Sequence, residues 1–306
     1  MKKSIIPIII GAAIGVFVGV ISGFILSLVN YFAPQYSILA RAIFNISMVV
    51  IFIIGVILIL CFVIGRELLF QLRFNKELVE HGYSPKLVEM FKKRKKKYEK
   101  NKYNMTYMQS VVFLANERLL YDDYESAYKY LEEINLQEFY DKLRIGTGKA
   151  KLMDAYYFYV LIDLWIGYYY ETNKPIEYAD EIYNKFFKDS IGLYIDKNKL
   201  ISCVNDEINI NYLFIKNDIN KCESIIASLP NKFSENKAYE LLYYRGLIVC
   251  DLKNNQLTMD SLNKYISEGR KLVDNSKLKV QFNQNYDQLY KKYSALIENK
   301  GVVYEE

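Results

Sequence analysis

Histidine is almost absent from this chain, and that absence excludes several kinds of chemistry. His81 is the single histidine among 306 residues. The chain therefore has almost none of the histidines that a histidine-rich zinc site or a Ser-His-Asp triad requires. Four cysteines lie far apart in apolar or helical stretches, at Cys61, Cys203, Cys222 and Cys250. We interpret them as reduced core residues. No enzymatic activity and no cofactor are therefore expected.

Acidic residues are missing from the first 65 positions, where three basic residues are the only charges. Two uncharged runs occupy most of this region, residues 5–29 and residues 42–64. At 1.5 Å of rise per residue, the first run makes about 37 Å of helix, enough to cross a hydrocarbon core of about 30 Å. Each run is predicted to be a membrane-spanning helix, so residues 1–65 form a transmembrane hairpin.

The flanking charges predict the orientation of this hairpin. Lys2 and Lys3 precede the first run, Arg66 and Arg73 follow the second, and the connecting loop ends with Arg41 alone. Positive residues favour the cytoplasmic side of membrane helices. Both termini are therefore expected in the cytoplasm, and the chain is expected to be an integral protein of the cell membrane.

Glycine recurs every fourth residue in the first run, at Gly11, Gly15, Gly19 and Gly23. Steps of four residues advance about 400° around a helix, so these positions form a slowly turning glycine strip on which another backbone can pack closely. The strip is consistent with packing against the second run, with a homo-oligomer, or with docking on another membrane protein. A pore is disfavoured, because neither run has a charged residue at mid-depth.

Residues 66–105 form a basic neck with 12 Lys/Arg and 5 Asp/Glu. Ser84 and Pro85 suit the N-cap and first position of a helix. Its cationic run consists of Lys92, Lys93, Arg94, Lys95, Lys96 and Lys97. Because the run begins fewer than 30 residues after the second hydrophobic run, we expect it to bind anionic lipid headgroups. A solvated helix face is the alternative, and nucleic acid is less favoured, because no nucleic-acid-binding motif accompanies the lysines.

Residues 106–306 are acidic and have helical periodicity almost throughout. The formal net charge is +5, and residues 1–65 and the neck carry +3 and +7, which leaves −5 for this part. Polar breaks near 121–123, 172–174, 216–218 and 253–256 each predict a junction between two helices. No alternating strand pattern appears, so the fold class is predicted to be all-α.

These helix pairs resemble the tetratricopeptide repeat (TPR), a helical hairpin with small residues where its two helices cross. The small positions are Ala115 and Ala127, Gly167 and Ala179, Ile210 and Cys222, and Gly246 and Ser261. The inferred repeat starts, near 108, 160, 203 and 239, are unevenly spaced. The resemblance is therefore to a degenerate TPR-like α-solenoid and covers roughly residues 106–273. An apolar stripe over 276–300 predicts a helix that caps the last hydrophobic face, although a partner-binding amphipathic helix has the same pattern.

The resemblance implies a concave surface that binds a peptide or a protein segment. Carried over to this chain, the groove positions of the first helix in each pair are Asn116, Tyr168, Glu207, Asn211 and Tyr243. The asparagines are able to grip a peptide backbone or to face water, and the tyrosines are equally consistent with packing. The segment 146–150 lacks the first glycine and the Ser/Thr of a phosphate-binding loop, so we interpret it as an interhelical loop.

Taken together, these patterns predict a membrane-anchored cytoplasmic scaffold or adaptor that recruits a protein partner. One alternative is an accessory subunit of a larger membrane complex, assembled through the glycine strip. Another is a regulator that responds to a peptide or to nucleic acid, but no DNA-binding or kinase module accompanies the repeats.

Overall fold

The computed structural model describes residues 37–145, 149–188 and 199–302 and the isolated positions 23, 27 and 31. Every secondary-structure element in these residues is helical, which confirms the all-α prediction. Among the helices described, none is long and apolar enough to cross a membrane. Of the glycine strip, only Gly23 falls within the described positions, and Ser27 is the one other residue of the first hydrophobic run that does.

The described helices are α1 (Ser37–His81), α2 (Pro85–Tyr98), α3 (Met105–Leu120), α4 (Tyr124–Leu131), α5 (Leu136–Ile145), α6 (Lys149–Glu171), α7 (Ile176–Ile182), α8 (Lys199–Ile215), α9 (Ile219–Ser228), α10 (Ala238–Lys253), α11 (Met259–Val273) and α12 (Lys279–Val302). A π-helical turn, Tyr183–Lys188, continues α7, and a 3-10 turn, Leu229–Lys232, continues α9. The second hydrophobic run falls within α1, whose side chains are described only in part. The chain divides into two compact units, Met1–Phe74 and Asn75–Glu306.

Helix α2, which the sequence assigns to a separate neck, packs against α3 in the second unit. Ser84 caps α2 by accepting a hydrogen bond from the amide of Leu87 at 3.2 Å. Leu87 and Phe91 are buried, and the rings of Phe91 and Phe113 stack with their centroids 4.0 Å apart. The apolar face of α2 thus finds its cover on α3, so the unit begins well before residue 106.

Four helix pairs, α3 with α4, α6 with α7, α8 with α9 and α10 with α11, are joined by turns of the same construction. In each turn one residue adopts the left-handed conformation, at Asp122, Asn173, Asn217 and Asn255. The backbone N–H of this residue donates a hydrogen bond to the carbonyl oxygen three residues earlier. The N–H of the next residue donates to the carbonyl oxygen five residues before itself. This is the hydrogen-bonding pattern that ends a helix at a left-handed residue. All four turns coincide with the polar breaks in the sequence, and the fold is repeat-like.

Small residues lie where the paired helices meet, but not at every expected position. Ala115, Ala127 and Ala179 are completely buried, and the thiol of Cys222 lies 3.8 Å from the carbonyl oxygen of Ile210. Gly167 differs, because a Cβ placed there would meet nothing within 4 Å. It faces open space rather than another helix.

The last helix, α12, packs against α11 and also reaches the start of the second unit. Phe282, Tyr286 and Tyr293 are buried, and Gly269 of α11 leaves room for the hydroxyl end of Tyr286. Gln284 of α12 hydrogen-bonds to the backbone of the turn between α1 and α2. The first and last elements of this unit are therefore in direct contact.

Candidate functional site

The first helices of the four pairs, α3, α6, α8 and α10, pack side by side and line one cavity with α12. Its volume is about 210 Å³. Each of these five helices supplies polar or charged side chains to the cavity, and leucines supply much of the remaining wall. Convergent polar groups within a largely apolar concavity are typical of binding sites.

A hydrogen-bonded network crosses three helices at one side of this cavity. The Asn211 side chain, only 2% exposed, donates from Nδ2 to Oδ1 of Asp163 at 3.0 Å. Arg245 donates from Nη2 to Oδ1 of Asn211 at 2.8 Å and from Nη1 to Oε1 of Glu207 at 2.9 Å. Such a network holds α6, α8 and α10 in one register, because losing any member leaves a buried polar partner unsatisfied.

Burial has a large effect on the Asp163 carboxyl. Burial, and then the negative charge of Glu207, raise its pKa well above the ordinary value, while Arg245 and Asn211 act in the opposite direction. Among the described residues, no lysine or arginine forms an ion pair with Asp163. Arg245 is instead bonded to its neighbours, so Asp163 is the carboxylate of this network without a direct cationic partner.

The C-terminal half of α12 is held against α6 across the cavity. Lys292 forms an ion pair with Glu171, and the neighbouring Tyr293 is buried. Burial raises the pKa of Tyr170 to about 12. Helix α12 therefore covers part of the inner face that the repeat resemblance assigns to a peptide.

The N-terminal half of α12 is held by the turn between α1 and α2. Oε1 of Gln284 accepts from the amide of Tyr83 at 2.7 Å, and its Nε2 donates to the carbonyl of His81 at 3.2 Å. The Tyr83 hydroxyl accepts from Asn116 at 2.8 Å and from Gln281 at 2.9 Å. Burial raises the pKa of Tyr83 to about 12, so this hydroxyl stays protonated at neutral pH.

The structure brings three of the five predicted groove residues together. Asn116, Glu207 and Asn211 all line the cavity. Tyr168 does not line it and instead packs against Tyr128, with the ring centroids 5.5 Å apart. Tyr243 likewise lies outside the cavity lining, and its ring lies 5.1 Å from that of Tyr244.

Sequence reasoning missed two charged residues of the site, Asp163 and Arg245, which both line the cavity. Each interrupts an otherwise apolar stretch of its helix, Leu161–Trp165 and Tyr243–Ile248. A charge inside such a stretch is expensive to bury and normally has a partner or a function. That signal was present in the sequence, although it does not show that the two residues meet.

The six residues of the cationic run have different environments. Arg94 is buried, and its Nη2 donates to Oγ1 of Thr106 at 3.5 Å. Lys95 forms an ion pair with Glu133. The remaining four, here called the neck lysines, are exposed or half-exposed and comprise Lys92, Lys93, Lys96 and Lys97.

Metal binding and thiol chemistry find little support in the described residues. Across residues 37–145, 149–188 and 199–302, no three His, Cys, Asp or Glu side chains are placed to hold a metal ion. Cys203, Cys222 and Cys250 are free and buried, and burial raises the pKa of Cys222 and of Cys250 to about 12. These thiols are therefore inert at neutral pH. Residues 146–148, within the glycine-containing loop, lie outside the described chain.

Comparison with known proteins adds no relative to these observations. No protein-family model, curated protein or solved structure matches this chain. The cavity and the neck lysines are therefore the features from which a function is argued.

Proposed function

We propose that this chain is a membrane-anchored cytoplasmic adaptor whose TPR-like domain recruits a protein partner through the concave cavity. The observation that carries the proposal is the convergence of side chains from five helices on one cavity. Three of them, Asn116, Glu207 and Asn211, occupy positions that the repeat resemblance assigns to partner binding. Concave inner surfaces are what solenoid proteins use for this purpose.

The size of the cavity limits what the partner inserts. A volume of about 210 Å³ suits one or two side chains rather than a long extended peptide. Helix α12 lies along the same face and is fastened there by Lys292 and Gln284. The partner is therefore proposed to present a protruding side chain or a short turn.

Membrane attachment is supported by the sequence and by the charge of α2. The uncharged runs 5–29 and 42–64 are long enough to span a bilayer. The neck lysines are exposed or half-exposed, although Lys92 also forms an ion pair with Glu89 at 3.4 Å. Each cation near an anionic surface contributes about 1 kcal/mol. Arg94 and Lys95 contribute less to this interaction, because protein groups already engage them.

Gly167 offers a direct test, because its position on the cavity wall is open. Because a Cβ at Gly167 would meet nothing within 4 Å, Gly167→Leu should occupy part of the cavity, whereas Gly167→Ala leaves most of the volume free. The full chain is purified from native membranes after crosslinking, and its partners are identified by mass spectrometry. The leucine variant should lose partners that the alanine variant retains, with equal thermal stability. Identical partner sets for the two variants would remove the proposed role of the cavity.

A second candidate, an accessory subunit of a larger membrane complex, is favoured by the glycine strip. Close helix packing through small residues is a common basis of association in membranes. Gly15→Leu and Gly19→Leu should then abolish co-purification of the membrane partner, while the second unit keeps its cooperative unfolding. Unchanged co-purification would argue against this candidate.

A further inference from the structure

The charges that line the cavity do not balance. Four carboxylates and two cations contribute to its wall: Asp122, Asp163, Glu171, Glu207, Arg245 and Lys292. Both cations are already committed, Arg245 to Glu207 and Lys292 to Glu171. Asp122 lies at the exposed rim and accepts a hydrogen bond from Tyr124. The carboxylate of Asp163 therefore lacks a cationic partner within the part of the cavity that the structure describes.

The rest of the cavity wall combines aliphatic side chains with the side chains of Asn116, Asn211, Asn285, Gln288 and Tyr293. Leucines from four helices line it, namely Leu119, Leu120, Leu164, Leu241, Leu242 and Leu289. The leucines suit a hydrocarbon stem, and the amide oxygens of the asparagine and glutamine side chains are able to accept hydrogen bonds from a cationic head. Lysine and arginine side chains combine such a stem with a terminal charge, and a charge-assisted hydrogen bond to a buried carboxylate is stronger than a neutral one.

We propose that the cavity binds an ammonium or guanidinium group on an aliphatic stem, with the cation paired to Asp163, and that a Lys or Arg side chain of the recruited partner supplies it. The second part rests on the proposed function, whereas the first does not. A neutral polar group is disfavoured, because it forms only a neutral hydrogen bond with this carboxyl, whereas a cation forms the stronger charge-assisted one.

Binding of a cation at Asp163 should release a proton. The raised pKa of this carboxyl, due to burial and then to Glu207, favours the protonated form of the empty site, whereas a paired cation favours the ionised form. Affinity should therefore increase as pH rises towards the pKa of the empty site. The titratable groups near Asp163 come from α6, α8, α10 and α12 and are Tyr156, Glu171, Cys203, Glu207, Arg245, Lys292 and Tyr293.

The test compares a charged probe with its neutral isostere. Isothermal titration calorimetry is carried out on the full chain in phosphatidylcholine nanodiscs, with N-acetyl-arginine amide and N-acetyl-citrulline amide. The wild type should bind the arginine probe at least about tenfold more tightly, the discrimination expected of one charge-assisted hydrogen bond. Asp163→Asn should reduce this ratio to within about twofold. Glu235→Gln, which removes an exposed carboxylate outside the cavity lining, should leave the ratio unchanged.

Equal binding of the two probes by the wild type, or an unchanged ratio in Asp163→Asn, would overturn the proposal. Titration of the wild type in phosphate and in Tris measures the released proton without relying on the stability of any variant. Spermidine is titrated as well, to distinguish a free polyamine from a protein side chain as the source of the cation. Tighter binding of spermidine than of the arginine probe would overturn the proposal that a partner's Lys or Arg side chain occupies the cavity.

The cation site and the recruiting function fail in different experiments. A retained probe preference with partner sets that are identical in Gly167→Leu and Gly167→Ala would remove recruitment through the cavity and keep the cation site. A missing probe preference with partner sets that still differ between those two variants would remove the cation site and keep recruitment.

Discussion

Gly82 holds the turn that fastens α12 to the start of the second unit, and replacing it should loosen that attachment. Its φ is +61°, in the left-handed region. A Cβ at this position would lie 2.1 Å from Oε1 of Gln284. Gly82→Ala therefore combines backbone strain with the displacement of Gln284 from its two hydrogen bonds.

The magnitude of the effect follows from these two terms. A non-glycine residue in the left-handed conformation costs about 1–2 kcal/mol. Losing the bonds from Gln284 to the Tyr83 amide and the His81 carbonyl costs about 0.5–1.5 kcal/mol each. Gly82→Ala should thus lower the free energy of unfolding by about 2–5 kcal/mol, and Gln284→Ala alone by about 1–3 kcal/mol.

The double variant is the decisive measurement, made by urea and thermal unfolding of the fragment Asn75–Glu306. Because Gly82→Ala already displaces Gln284, adding Gln284→Ala should cost little more, so the two effects should fall short of additivity by about 1–3 kcal/mol. Gly82→Asn is the matched control, because asparagine tolerates the left-handed backbone better than alanine but still meets Gln284. Additive effects, or wild-type stability in Gly82→Ala, would refute the reasoning.

Three further predictions concern other parts of the chain. The pKa of Asp163 is higher in the folded state than in the unfolded state, where it is about 3.9. The protonated carboxyl therefore contributes its full stabilisation of the fold below the unfolded-state pKa, and this contribution is lost as pH rises through the folded-state pKa. The stability of Asp163→Asn relative to wild type should therefore rise with pH, by up to about 1.4 kcal/mol per unit; a pH-independent difference in urea unfolding would contradict this. Gly246→Ala would place a Cβ 2.7 Å from Cδ1 of Ile226 and should destabilise the fold by about 1–3 kcal/mol. Gly167→Ala, whose Cβ would lie in open space, should instead stabilise it by about 0.5–1 kcal/mol. Effects of the same sign in thermal unfolding would count against the packing argument. Changing the neck lysines to glutamine should weaken binding of the fragment Asn75–Glu306 to vesicles with 30 mol% phosphatidylserine by at least tenfold in flotation assays, and unchanged flotation would remove their lipid role.

Local chemistry explains why the helical pairs could be predicted. Asp122, Asn173, Asn217 and Asn255 supply polar turn residues that tolerate the left-handed conformation. The hydrogen bonds that end each preceding helix span five residues or fewer, so the sequence near each break contains the information needed. The all-α class follows from the same short-range patterns.

The residues of the candidate site could be predicted only in part. Helix periodicity indicates which side chains share a helix face, but packing against neighbouring helices determines which of them reach the cavity. Asn116, Glu207 and Asn211 were assigned to the groove and do line the cavity. Tyr168 had the same repeat position, but its ring joins an aromatic cluster with Tyr128 and Trp165. In a chain with 29 tyrosines, the neighbouring rings rather than the repeat position determine which tyrosine reaches the cavity.

The sequence by itself determined where the paired helices end and which stretches are apolar or basic, because each depends on residues within a few positions of one another. Only the tertiary structure placed α12 along the inner face, through contacts such as that of Tyr83 with Gln284, 201 positions apart, and of Glu171 with Lys292, 121 positions apart. Those contacts decide how much of the cavity stays open and which carboxylate lacks a cationic partner. Packing between distant segments depends on the shape and charge of both surfaces at once, and no local pattern contains that information.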